Sequence, residues 1–99
     1  MRELNLDRLR TLLAVADLGS FAAAAKALHL APPTVTLHVA QLEARLGARL
    51  LHRAPAGVTA TAAGGLLIER ARRLLAEADE LLQAVAHQIA ARGGRVRLG

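Results

Sequence analysis

Two consecutive prolines, Pro32 and Pro33, constrain this 99-residue chain more than any other feature. Proline has no N–H and its ring collides with the preceding turn, so the pair can only open a helix. Upstream, Ser20 is an N-cap for a short alanine-rich helix, Phe21 to Leu28, whose Phe21, Ala24, Ala25 and Leu28 share one face. Only His29-Leu30-Ala31 separates Leu28 from Pro32, which is room for a turn and nothing more. A helix from about Pro32 to Leu46, burying Val35, Val39, Leu42 and Leu46 and stopped by Gly47, completes a helix-turn-helix. Ala24 and Ala25 are small where the two helices cross. Leu28, Leu30, Val35 and Val39 form the wedge, and Thr34, Thr36, His38 and Gln41 point away from it.

Ahead of this unit, Leu6, Leu9, Leu12, Leu13 and Ala16 recur at helical spacing, with Asn5 as N-cap and Gly19 as terminator. Behind it, Arg49 to Arg53 and Val58 to Thr61 flank the turn Ala54-Pro55-Ala56-Gly57 and read as a small hairpin, the wing. Helical spacing then runs from Thr61 to about Ala91. Leu67, Ala71, Leu74, Ala78, Leu81 and Val85 alternate steps of four and three, a heptad seam that Ile89 continues with slight drift. Such a helix is about 45 Å long, and its apolar seam is expected to be a dimer interface or, failing that, the place where a further domain docks. Gly93-Gly94 breaks it, and Arg95-Val96-Arg97-Leu98-Gly99 alternates like the start of a strand. The expected fold is mainly α: three helices with a β-hairpin wing, then a long dimerisation helix. The expected divisions are 1–61 for the winged helix-turn-helix, 62–92 for the linker helix and 93–99 for the start of a connection onward.

Composition narrows the function. Thirteen Lys and Arg against eight Asp and Glu leave a net charge of +5, which favours an anionic partner, nucleic acid or an acidic membrane surface. The start Met1-Arg2-Glu3-Leu4-Asn5 is not that of a signal peptide, and no apolar run is long enough to span a bilayer, so a soluble cytoplasmic protein is expected. Without cysteine there are no disulfides or thiolate sites, and His29, His38, His52 and His87 lack metal-ligand spacing. The acidic residues are scattered over helix surfaces, so neither enzyme activity nor a metal is expected.

Several motifs in one order carry a resemblance. Gly19-Ser20-Phe21, the run Ala24 to Leu30, Pro33-Thr34-Val35-Thr36, Gln41-Leu42-Glu43 with Leu46-Gly47, Leu50 to Arg53, and Gly57-Val58 with Thr61 to Gly64 together resemble the amino-terminal domain of LysR-type transcriptional regulators. The resemblance covers residues 4 to about 99. It implies a bacterial regulator about three times as long, with a small-molecule effector bound by a domain following Arg95 and no cofactor in this chain. It also implies a homodimer through the long helix, a full-length tetramer being left open. The sequence departs from the family pattern in three places. Ala31 and Pro32 stand where a capping Ser or Thr and then Gln or Pro are frequent, Leu37 stands where Arg or Lys is frequent, and the wing tip Ala54-Pro55-Ala56 has no charge.

For reading bases in double-stranded DNA the candidates are Pro33, Thr34, Thr36, Leu37 and His38. Thr36 brings a hydroxyl and a methyl, Pro33 only apolar contact, and Leu37 either packs on a thymine methyl or sits exposed. Candidates for phosphate contact are Ser20, Lys26, Arg49, Arg53 and Thr61, with Ser20 also placing a helix N-terminus near the backbone. Arg70, Arg72 and Arg73 with Glu69, Glu77 and Glu80 read as ion pairs along the helix surface. Two other readings stand beside the regulator: the winged-helix module of molybdate-responsive regulators, and a coiled-coil scaffold protein that no longer binds DNA.

Overall fold

The computed structural model describes residues 5–92. The expected connection over 93–99 and the break at Gly93-Gly94 lie outside the described residues. Four helices and one hairpin follow each other as α1 (Leu6–Leu18), α2 (Phe21–Leu28), α3 (Pro32–Leu46), β1 (Leu51–Ala54), β2 (Gly57–Ala60) and α4 (Ala62–Ala91).

Local chemistry sets these boundaries. The Asn5 side chain accepts from the Arg8 N–H at 3.1 Å and the Ser20 hydroxyl from the Ala23 N–H at 3.0 Å, each satisfying a donor that the helix itself leaves open. Ala31 caps α3 with no side-chain bond, and Pro32 and Pro33 supply the start instead. α2 ends at His29, a non-glycine residue in the left-handed region (φ 58°), and the Leu30 N–H then donates to the Ala25 carbonyl at 2.9 Å.

The wing is two antiparallel strands paired from Leu51 with Ala60 to Ala54 with Gly57. The strands reach closer to the turn than the sequence suggested because Gly57 takes φ 139°, a value L residues rarely adopt, and Pro55-Ala56 alone make the bend. A bond from the Val58 N–H to the Gly19 carbonyl, 3.2 Å, fastens the wing to the corner between α1 and α2.

One core joins all of these elements. Leu9, Leu12 and Val15 of α1, Ala24 and Ala25 of α2, Val35, Val39 and Leu42 of α3, Leu50 and Leu51, and Ile68, Ala71 and Leu75 of α4 are buried together. Leu46, expected in this core, is 48% exposed. The chain reverses at Gly47 and brings back Leu50, fully buried, to fill that layer.

The long helix differs most from expectation. Gly64, Ile68, Ala71 and Leu75 of α4 pack on the head, so the core crosses the expected division at residue 61. Ala71 is only 2% exposed and Leu67 is partly buried against the same core, so this end of the expected seam is turned, wholly for Ala71 and in part for Leu67, toward the head. A helix that presents one stripe to α1 has only its remaining faces for a partner. Leu74, Leu81, Val85 and Ile89 stay exposed, with Ala78 between them half-buried.

Two cross-helix ion pairs fix α4 antiparallel to α1. Arg72 is bidentate to Asp17, with Nη1 donating to Oδ2 at 3.1 Å, and Arg10 lies 3.6 Å from Asp79. The expected pairs within α4 are thus replaced, for Arg72, by a pair across the fold. The Arg72 guanidinium holds the Asp17 carboxyl below its ordinary range, chiefly by hydrogen bonding, with desolvation opposing and the charge of Arg72 adding a smaller share. A lowered carboxylate pKa means that the pair's contribution is present at neutral pH and disappears as the pH falls through that pKa.

Candidate nucleic-acid interface

α3 has an inner and an outer face. Val35, Val39 and Leu42 are buried, while Pro32, Pro33, Thr36, Leu37 and Ala40 are exposed and Thr34, His38 and Gln41 lie at the margin. The outer residues fall at steps of three and four, so they form one stripe along the helix. Ala24 and Ala25 beneath α3 are 0% and 3% exposed, which allows the close crossing that lifts this stripe clear of the domain.

Four of the five candidate base readers have outward access, and the fifth is turned inward. His38 Nδ1 lies 2.8 Å from the Thr11 hydroxyl, a contact between α3 and α1. Thr11 also donates to the Asp7 carbonyl at 3.1 Å, which uses the single hydroxyl proton. If that proton stays on the Asp7 carbonyl, His38 Nδ1 donates in the second bond and the neutral ring is the Nδ1–H tautomer. His38 thereby holds α3 against α1, and its Nδ1 is not available to a base. Nitrogen NMR of the His38 ring should show a protonated Nδ1 in the neutral form, a signature that Thr11→Val removes at a cost of about 1 kcal/mol in stability. A neutral ring protonated on Nε2 would contradict this arrangement.

The candidate phosphate contacts divide in the same way. Ser20 uses its oxygen lone pair as a cap, leaving its hydroxyl proton to donate at the N-terminus of α2. Lys26 is exposed on α2. The Arg53 guanidinium stacks over the Phe21 ring, 3.9 Å from its centroid, which brings a wing cation beside the start of α2. Arg49 is exposed but lies 3.7 Å from Glu43, so part of its charge is balanced. Thr61 does not fit the expected role: its hydroxyl donates to the Arg49 carbonyl at 2.7 Å and accepts from the Gly64 N–H at 2.9 Å. With its one proton committed, Thr61 is the N-cap of α4 and has no side-chain donor left for phosphate.

Sequence reasoning missed two features. Glu43 Oε2 accepts from the Leu50 N–H at 2.8 Å and the Leu51 N–H at 3.4 Å, so a carboxylate on α3 fixes where the wing begins. Its burial beside backbone donors has no signature in spacing. Arg8 of α1 and Arg45 of α3 line one shallow concavity with Gln41 and Ala44, a basic margin at the far end of the outer stripe. Arg8 and Arg45 are distant in sequence, and only the packing of α1 on α3 brings them together.

An outward stripe on the second helix of a helix-turn-helix, a hairpin pinned beside it and cations around its edge define a winged helix-turn-helix protein. Residues 6–65 match the family described as bacterial regulatory helix-turn-helix protein, lysR family, and the chain belongs to that family. Its helices and hairpin match the winged-helix DNA-binding domains of these regulators. It is 43% identical over 96 residues to the SDS degradation transcriptional activation protein of Pseudomonas sp. (strain ATCC 19151), covering 96% of this chain and 31% of that protein. It is 38% identical over 96 residues to the nitrogen assimilation regulatory protein nac of Escherichia coli (strain K12), covering 97% and 32%. The chain thus spans about a third of the length of these relatives. Among solved structures it resembles the CbnR_DBD–DNA complex with TM-score 0.77 and 40% identity, covering 89% of this chain and 99% of that one. The BenM_DBD/catB site 1 DNA complex gives TM-score 0.82 at 31% identity, covering 94% and 100%.

Proposed function

We propose that this chain reads double-stranded DNA in a sequence-specific manner as the DNA-binding part of a transcriptional regulator, with α3 lying in the major groove. The observation that carries this reading is the exposed stripe Pro33, Thr36, Leu37 and Ala40, which the core does not use, on a domain whose surface also carries the Arg53 wing cation and the Arg8–Arg45 margin. Ser20, Lys26, Arg53 and Arg8 hold the phosphates, while Thr36, Thr34, Pro33 and Leu37 meet base edges. The far half of α4 pairs two copies, so the operator is an inverted repeat. As in the relatives' greater length, a further domain takes a small-molecule effector, and the protein works in the cytoplasm without catalysis. No helix of the described residues is long and apolar enough to cross a membrane.

Thr36→Ala should lower affinity for the selected site by about 1 to 3 kcal/mol and leave binding to random duplex nearly unchanged, because base contacts specify while phosphate contacts position. Equal loss on both would remove Thr36 from base reading. Arg53→Ala should weaken both kinds of binding and flatten the log–log salt slope by about 0.9. An unaltered slope would place Arg53 away from phosphate. A wild-type domain whose binding to duplex is insensitive to both sequence and salt would overturn the proposal.

A further inference from the structure

We propose that Leu37 makes recognition by this protein depend on the 5-methyl group of a thymine. This inference rests on the DNA-reading function above. Leu37 is 53% exposed, and the hydrophobic core is complete without it. Pro33 lies one turn before it and Ala40 one turn after, so an apolar ridge runs along the outer stripe of α3. Hydrogen-bonding groups on the leading half of that helix are few. Thr36 is exposed, Thr34 is half-buried, His38 spends Nδ1 on Thr11, and Gln41 sits a turn further on beside Arg8 and Arg45. Discrimination there by paired hydrogen bonds, as from Arg, Asn or Gln, is therefore not offered.

Of the groups that the four base pairs present in the major groove, the thymine 5-methyl is the apolar one. A leucine at the groove floor is dehydrated without compensation against the amino, carbonyl and ring-nitrogen groups of the other edges. Against a methyl it gains contact. Leu37 thus selects thymine both by what it attracts and by the polar groups whose hydration it would displace.

The test replaces thymines one at a time with deoxyuridine, which removes only the methyl, in a duplex selected from random sequence by the wild-type chain. At one or more thymines of each half-site, wild-type affinity should fall about fourfold, the equivalent of one methyl group no longer buried. With Leu37→Ala and with Leu37→Gln the same replacement should change affinity less than about 1.5-fold, so that protein and base substitutions are non-additive. Absence of any deoxyuridine penalty in the wild-type protein overturns the inference. A penalty of unchanged size in both variants assigns the methyl contact to another residue and overturns it equally. Failure to select any sequence would instead overturn the DNA-reading function itself.

Discussion

Gly64→Ala is expected to lower the melting temperature by about 12 °C or more, corresponding to a loss of about 3 kcal/mol. A Cβ at this position would stand 1.9 Å from the Leu50 carbonyl oxygen and 2.8 Å from its carbon, both backbone atoms that no rotamer change can move. The same oxygen accepts from the Thr61 N–H at 3.0 Å, and the Thr61 hydroxyl caps Gly64 itself. Relief by shifting α4 would therefore pull apart the cap, the end of the wing ladder and the burial of Ile68 and Ala71. Gly65 is the control, because a Cβ there meets nothing within 4 Å. Gly65→Ala should raise stability by roughly 0.5 to 1 kcal/mol through reduced backbone entropy in the unfolded chain. Thermal melts followed by circular dichroism separate the two; wild-type melting of Gly64→Ala would contradict the close approach of α4 to Leu50.

The second large effect is on assembly. Leu74 and Leu81 are 39% and 62% exposed, and Val85 and Ile89 continue the stripe along the outer end of α4, where every described residue from 79 to 92 is exposed. Each large side chain left in water forfeits about 1.5 to 3 kcal/mol that pairing would recover. Placing Asp at both Leu74 and Leu81 should convert a dimer into a monomer at micromolar concentration by sedimentation equilibrium. It should also cost about 100-fold or more in affinity for a paired site, since the second half-site no longer benefits from linkage. Melting of the head should change little, because neither residue belongs to the core. A double variant that remains dimeric would locate the interface elsewhere.

Much of this fold was legible because its signals are local. Asn5, Ser20 and Gly47 act within one turn of the boundaries they set, and Pro32-Pro33 leave no other place for α3 to begin. At the head of α4, periodicity identifies an apolar stripe without naming what covers it. Leu67 and Ala71 satisfy a heptad as well as Leu81 and Val85 do, yet only α1 packing decides that the first pair turns inward. Thr61 and His38 are of the same kind. A hydroxyl or imidazole at the correct register looks available until partners distant in sequence, Arg49 for one and Thr11 for the other, take its proton or its Nδ1. Glu43 shows the converse, a charge that reads as surface and instead organises the start of the wing.

The central claim is that a symmetric pair of α3 helices reads DNA. Selection from a pool of random duplexes with the purified chain tests it most directly. The expected result is enrichment of an inverted repeat whose half-site centres lie about one helical turn, or a multiple of it, apart, with binding lost when the spacing is changed by about half a turn. Enrichment of no sequence, or of a single unpaired half-site indifferent to spacing, would contradict the account.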